Sequence, residues 1–393
     1  MLFTDTLETT NVRKIYTGRA ENLNRKPLIM LAVGDVTLEK PNGEFFLSKV
    51  TPVLRSGDVV VGNGEIVFTS RGIPTYPEMF PSPGCPPSNI EALTSAGFHL
   101  ITLATNHIFD MGVPGIEDTI TGLRNHGIAT VGAGMNNDEA RKPAIIERNG
   151  TRFGFLNYNC VGPKGQWATM SKPGCAYVNI LSHYEITNNP GGPPDVYTFA
   201  ERRSLRAMVD DVQKLRLLCD ILVVSFHKGI RLSPKLAMYD QEVSHAAIEA
   251  GADLVLGHHT MMKGIELYKG KAIFHGLGLF VPAIKGVTAE QIKERQSISD
   301  PNVSDVFSIQ QYPAQYPYRQ LTMIAKCIIN NGKISRLSYM PCFVNEQKQP
   351  EVLQNDEMGR EVFDFMDRIT REAGLNARFE WDEDEIVIHA DQI

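Results

Sequence analysis

Seven positions in this 393-residue chain carry side chains able to hold a metal ion or move a proton, and they share one context. Asp35 follows the apolar run 28–33, and Glu65 follows 59–61 and the turn Gly62-Asn63-Gly64. Asn106-His107 follow 98–103, His227 closes 220–226, and His258-His259 follow 253–256 after Gly257. One Asp, one Glu, one Asn and four His make a mixed nitrogen and oxygen donor set, which suits Zn, Mn or Fe(II) better than Ca or Mg. Singly, each has an ordinary use: Gly-Asp closes turns, Asn-His caps helices, and a lone His is most often structural. Their joint occurrence at the ends of apolar runs carries the reading. His258-His259 carries it furthest, because two adjacent imidazoles are a poor packing choice and a good ligand pair.

The elements that must position these residues alternate along the chain. Short apolar runs separated by amphipathic stretches are the pattern of an α/β domain whose strands are buried on both faces. In open α/β sheets ligands bind beyond the carboxyl ends of strands, so residues far apart in sequence converge there. The spacing predicts helices over 88–96, 114–127, 200–218, 235–250 and 351–373. It predicts hairpins pairing 144–147 with 152–157, 266–268 with 271–274, 321–329 with 334–341 and 378–381 with 385–389, and an extended piece at 65–68. Residues 73–87, 162–194 and 282–320 read as long connections of the kind that wall binding sites.

Composition narrows the classes. With 39 Lys+Arg against 45 Asp+Glu the net charge is −6, and 42% hydrophobic with 21% charged residues is an ordinary globular balance with ample core. There is no basic excess to draw nucleic acid or anionic lipid, so an anionic substrate must be attracted locally. The six cysteines are scattered with no C-x-x-C pair, which predicts thiols in a reduced, cytoplasmic setting. Residues 1–26 are polar and charged without the apolar core of a signal peptide, and the longest apolar runs fall far short of the ~20 residues that span a bilayer. The expectation is therefore no membrane and no nucleic-acid partner. Gly132-Ala133-Gly134 lacks the third glycine of a dinucleotide fingerprint, and no serine elbow or reactive-cysteine setting stands out.

Taken in order, Val33-Gly34-Asp35, Asn63-x-Glu65, Asn106-His107-x-x-Asp110, Gly132-Ala133-Gly134, His227-x-Gly229, Gly257-His258-His259 and Tyr268-Lys269-Gly270-Lys271 resemble the bacterial CapA family, named for capsule and poly-gamma-glutamate synthesis. That family is similar to the calcineurin-like metallophosphatases. The resemblance covers about residues 27–281 and implies a four-layer α-β-β-α metallophosphatase-like sandwich. It further implies that Asp35, Glu65, Asn106, His107, His227, His258 and His259 surround one or two divalent ions (Mn, Zn or Fe), which would bring the pKa of water from 15.7 to about 7. The expected organisation is an N-terminal extension (1–26), the family domain (27–345) and a C-terminal helix-and-hairpin appendage (346–393). Two departures stand out. The family's usual His-Trp-Gly-x-Glu is His227-Lys228-Gly229-Ile230-Arg231 here, and its Gly-His-His-Pro-His is Gly257-His258-His259-Thr260-Met261, without the last histidine.

The function these features predict is a metal-dependent hydrolase acting on a small or peptide-like anionic substrate. Catalytic roles are expected of His107, His227, His259 and His275, and substrate-anion recognition of Lys228 and Arg231. Two alternatives remain open in the sequence. One is a metal-dependent peptide epimerase or isomerase using histidine acid–base chemistry; the other is an accessory role in poly-gamma-glutamate synthesis. Nothing in the sequence sets the oligomeric state.

Overall fold

The computed structural model describes residues 26–75, 84–186, 195–231, 233–259, 261–283 and 317–390. The extension expected at 1–26 lies almost wholly outside these residues, as do most of the connection 282–320 and parts of 73–87 and 162–194.

The chain opens with four parallel neighbours, β1 (Leu28–Val36), β2 (Val59–Gly64), β3 (Leu100–Thr102) and β4 (Ala129–Val131). The crossovers between them carry α1 (Ile90–Ala96) and α2 (Gly112–Asn125), the latter with Pro114 in its first turn, where a missing N–H is harmless. The hairpin β5 (Ala144–Arg148) and β6 (Thr151–Asn159) then begins a second sheet. That sheet grows through α3 (Arg202–Arg216), β7 (Ile221–His227), α4 (Met238–Ala250) and β8 (Leu254–His258), and closes with the hairpin β9 (Met262–Tyr268) and β10 (Lys271–Leu277). Its order is β9-β10-β8-β7-β6-β5.

The chain next returns to the first sheet. On the side of β1 away from β2, β11 (Leu279–Val281) pairs parallel with Asp35 and Val36, and β12 (Leu321–Asn330) pairs antiparallel with the first residues of β1. β13 (Lys333–Val344) and β14 (Pro350–Val352) follow, then α5 (Glu357–Glu372), β15 (Ala377–Asp382) and β16 (Glu385–Ala390). The ten-stranded sheet runs β15-β16-β13-β12-β1-β2-β3-β4, with β11 on β1 and β14 on β13.

Alternation along the strands explains the layers. Met30, Ala32, Val59 and Val61 point into a central core with Ile221, Val223, Leu254 and Leu256 of the second sheet. Their neighbours Leu31, Val33 and Val60 face α1 and α2, while Leu222, Val224 and Val255 face α3 and α4. A period of two with both faces apolar is what a strand sandwiched between a sheet and helices requires. The result is helices, sheet, sheet, helices: the four-layer α-β-β-α sandwich. Residues after 345 share this core. Val362, Phe365, Met366 and Ile369 of α5 join it with Ile386 and Ile388 of β16, so the central core continues past the boundary expected at 345.

Several local expectations are corrected. β2 stops at Gly64 and residues 65–67 are irregular, which turns Glu65 away from the sheet. Asn89 does not cap α1; its side chain instead accepts from Gly43 N (2.9 Å) and donates to the carbonyls of Leu38 and Lys40. The C-terminal helix begins at Glu357 rather than 351, because 350–352 pair with β13 and Asp356 supplies the cap through Gly359 N (2.9 Å). Within 162–194 the described residues hold short structure, including the ribbon Ile180–Glu185 against Asp195–Ala200.

The two sheets are locked together at their C-terminal edges. Gly278 links β10 of the second sheet to β11 of the first, and a Cβ on Gly34 of β1 would lie 1.9 Å from its carbonyl oxygen; within the second sheet, one on Gly257 would lie 2.1 Å from the carbonyl oxygen of His275. Only glycine permits such backbone contact.

Candidate metal centre

Register places the expected donors in rows across the strand ends. Asp35 is opposite Asn63 between β1 and β2, and Asn159, His227 and His258 are opposite one another across β6, β7 and β8. Glu65 leaves the end of β2, and Asn106-His107 follow the end of β3. The seven residues expected from sequence therefore gather from five strand ends on both sheets, at the locked edge.

Donor atoms converge on His227. Its Nε2 lies 2.7 Å from Asn106 Oδ1, 3.0 Å from His259 Nδ1 and 3.5 Å from Glu65 Oε2. Glu65, His227 and His259 each bring a ligand atom within 4.8 Å of the others. Beside them His258 Nδ1 stands 3.8 Å from Asp35 Oδ1. Asn63 Nδ2 donates to Asp35 Oδ1 (2.8 Å) and Glu65 Oε2 (3.2 Å), while its own oxygen accepts from Thr102 Oγ1 (2.9 Å). The His259 backbone, at φ 90°, donates its N–H to Asp35 Oδ2 (3.1 Å). A non-glycine residue held at positive φ is strain of the kind that accumulates at functional sites.

The electrostatics fit a cation. Burial lifts the Asp35 carboxyl to about 7 against the pull of the His259 N–H and Asn63. Burial, then the charges of Asp35 and Asp110, raise Glu65 well above the usual range. Burial drives His258 down to about 3, and burial with the neighbouring His107 and Arg231 does the same to His259. His227 falls well below its ordinary value from burial and the surrounding histidines. These three imidazoles are thus neutral. Among the described residues, both ring nitrogens of His258 and Nδ1 of His227 are buried without a hydrogen-bond partner. Unpaired buried donors and acceptors are rare in native proteins and costly, so a group that completes them is expected. Neutral imidazoles and carboxylates at these distances are the donor set of Zn, Mn or Fe, and the residues fit the ion.

The comparisons with known proteins follow this geometry. The family model described as bacterial capsule synthesis protein PGA_cap matches residues 29–283, well over half of the chain. The chain belongs to the PGA_cap family. Capsule biosynthesis protein CapA of Bacillus anthracis is 26% identical over 265 residues, covering 65% of this chain and 59% of that protein. A probable polyglutamine synthesis accessory protein of Mycobacterium tuberculosis is 28% identical over 238 residues, 58% of each. The chain thus spans 58–59% of the length of these curated relatives. Among solved structures, a putative 5'-nucleotidase from Staphylococcus aureus aligns with a TM-score of 0.43 at 12% identity, covering 87% of this chain and 58% of that one.

The PGA_cap match runs from β1 to just past β11 and encloses every donor above. Two expected site residues lie elsewhere. Lys228 follows His227, and successive strand residues face opposite sides, so its side chain runs away from the donors. It is fully buried, with Nζ on the Asp240 carbonyl (2.8 Å) and His275 Nδ1 (2.9 Å). His275 is equally buried and bonds Glu266 Oε2 (3.0 Å) through Nε2. The expectation that Lys228 meets a substrate anion and His275 a reacting proton is corrected: both are engaged inside the second sheet's helical layer. Arg231 stays on the site side and exposed, where its charge bears on Glu65 and His259.

Sequence reasoning passed over three neighbours. Asp110 Oδ2 holds His107 Nδ1 at 2.6 Å, with Gln166 Nε2 on its other oxygen at 3.4 Å. Asn63 bridges the two carboxylates. Both residues stood in the recognised motifs, and the three-residue interval from His107 to Asp110 was the available signal. Arg319, half-buried just ahead of β12, lies within the influence of Arg231 and carried no signal at all.

Proposed function

We propose that this chain is a metal-dependent hydrolase acting on a small or peptide-like anionic substrate. The observation that carries the reading is His258, a neutral buried imidazole with neither ring nitrogen bonded, set beside the converging donors of Glu65, His227 and His259. Asp35, Glu65, His227, His258 and His259 would hold the ion, with Asn106 beside them. When bound, a divalent ion there supplies Lewis acidity, polarising a substrate oxygen and acidifying water.

The protein's own groups do the rest. Asn63 keeps the Asp35 and Glu65 carboxylates in place. Asp110 fixes the His107 ring through Nδ1, and His107 Nε2 faces Glu65 Oε1 at 3.7 Å, where it can pass a proton to a leaving group. Thr105 ties the two together, its hydroxyl donating to the Glu65 carbonyl (3.0 Å) and accepting from His107 N (3.1 Å). Arg231 supplies positive charge at the rim for the substrate's anionic group.

Metal analysis of the purified chain with activity before and after chelation tests the reading. A co-purifying divalent ion whose removal abolishes, and whose return restores, cleavage of a peptide or ester supports it. Solvent deuterium entering an α-carbon without mass gain from water replaces hydrolysis by epimerisation. A second reading, an accessory part in capsule or polyglutamine synthesis beside other proteins, has the relatives' printed names in its favour. It is separated by replacing His258: a role that survives loss of the ion is not catalytic.

A further inference from the structure

The ribbon of Ile180–Glu185 against Asp195–Ala200 leaves one whole face in solvent. Its register pairs Ile180 with Ala200, Leu181 with Phe199, His183 with Tyr197 and Glu185 with Asp195. Side chains alternate across a strand, so the Ile180–Ala200 pair belongs to one face and the other three pairs to the opposite one. The first face is anchored. Ala200 is buried and Ile180 half-buried in the core shared with α3 and α4, and Ala200 N donates to Glu242 Oε2 (2.7 Å). The second face is bare among the described residues: Leu181, Tyr197 and Phe199 are 38, 38 and 43% exposed, and His183 lies beside Tyr197 at 6.5 Å between ring centroids. No further described strand joins either edge of the ribbon. An isolated two-stranded ribbon is marginal in water, and contiguous exposed apolar side chains mark contact surfaces, so this face calls for a cover.

Charge identifies the cover. The bare face runs from acid to base: Glu185 and Asp195 close the apolar row at one end, and at the other the chain passes from Ala200 into Arg202 and Arg203, exposed in the first turn of α3. The intervening Glu201 is already engaged, its carboxylate accepting from the N–H groups of Arg203 and Ser204 (2.9 Å each). Glu201 N donates to Asn179 O (2.7 Å) and Asn179 N to Ser204 Oγ (3.1 Å), which fixes that turn to the root of the ribbon. Among the described residues Glu185, Asp195, Arg202 and Arg203 form no ion pair, whereas Arg206 has Asp210 at 3.8 Å. A uniformly anionic partner is repelled by the acid end and a uniformly cationic one by the root. What fits is an apolar face carrying both charges in reversed order, and the same ribbon turned end for end is such a face. A two-fold axis across its middle lays a second copy antiparallel on the first, each acid end over the other's basic root. Six residues at ~3.4 Å in two strands give a face of ~20 by ~10 Å. That is below the ~800 Å² per partner of a standard interface, so the α3 turn belongs to the contact and the affinity is modest.

We propose that the bare face of this ribbon is a self-association surface that pairs two copies of the chain antiparallel about a two-fold axis. Sedimentation velocity of the full chain from about 1 to about 100 μM tests it, the range in which a contact of this size assembles. The expected result is a monomer–dimer equilibrium that weakens about tenfold or more in Phe199→Ser, and equally in each of two charge-reversed variants. One carries Glu185→Lys with Asp195→Lys, the other Arg202→Glu with Arg203→Glu. All five positions are exposed, and melting curves check that each variant folds. Mixed in equal amounts, the two charge-reversed variants dimerise at about wild-type strength, because each altered acid end then meets an altered root and each unaltered root an unaltered acid end. Wild type that stays monomeric at about 100 μM, Phe199→Ser that dimerises as wild type, or a mixture that associates no better than either variant alone overturns the proposal. Monomeric wild type that binds vesicles of anionic lipid, and loses them with Phe199→Ser, gives the face to a membrane and overturns it equally.

Discussion

Two buried polar clusters flank the end of β7, and they are finished in opposite ways. One is the chain Lys228, His275, Glu266 and His245, linked at 2.9, 3.0 and 2.8 Å, with His245 stacked on Tyr268 at 3.7 Å between ring centroids. Each ring nitrogen of His275 has a partner inside the protein. The other is the donor cluster, where His258 has none. Burial lowers His258 to about 3 and, with Lys228, His275 to about 4, so charge state does not distinguish the two rings. Their completion does. A closed network holds shape, whereas an open one needs something the chain does not contain.

The same substitution in each cluster breaks the comparison most directly. His258→Leu is expected to weaken divalent-metal binding by at least about 100-fold, while the metal-free chain loses no hydrogen bond and keeps its stability. Metal titration and denaturant unfolding read the two halves, and metal binding at wild-type strength would dissolve the distinction. His275→Leu has the opposite signature. It removes one buried partner each from Lys228 and Glu266, so stability falls by about 2–3 kcal/mol while the metal content is unchanged. Asp110→Asn sharpens the contrast within the donor cluster: turnover drops about 10- to 100-fold with the ion retained, because His107 loses its orienting carboxylate.

Acid gives the smallest effect. His258 and His259 sit at about 3 in the folded chain against about 6.5 unfolded. The unfolded chain therefore takes up protons first, and their contribution to stability falls as pH drops from about 6.5 toward 3. Melting curves of the metal-free protein over that range should flatten more with His258→Leu than with His275→Leu, whose folded value of about 4 spans a narrower window.

The sequence showed most of the donor cluster because its members end strands, and apolar runs of period two are easy to find. Asp35, Glu65, Asn106, His107, His227, His258 and His259 all arrived where the runs stopped. Lys228 follows His227 yet points to the other face, because a strand sends neighbours to opposite sides, and His275 lies on that same face with its Nδ1 on Lys228 Nζ. Arg319 was invisible, since its place depends on β12 returning from the far side of the chain to lie against β1. The long-range return of α5 and β16 into the central core has the same cause: no local pattern records which sheet a late hairpin will join.

The backbone contact between Gly34 and Gly278 bears on how an ion would come and go. With the strand edges touching, the sheets cannot part to admit it. Asp35, His227 and His258 lie sealed beneath, and the partly exposed Glu65, His107 and His259 form the doorway. Exchange is then a matter of side-chain rotation and shedding of hydration water, so loading should be far faster than any unfolding of the domain.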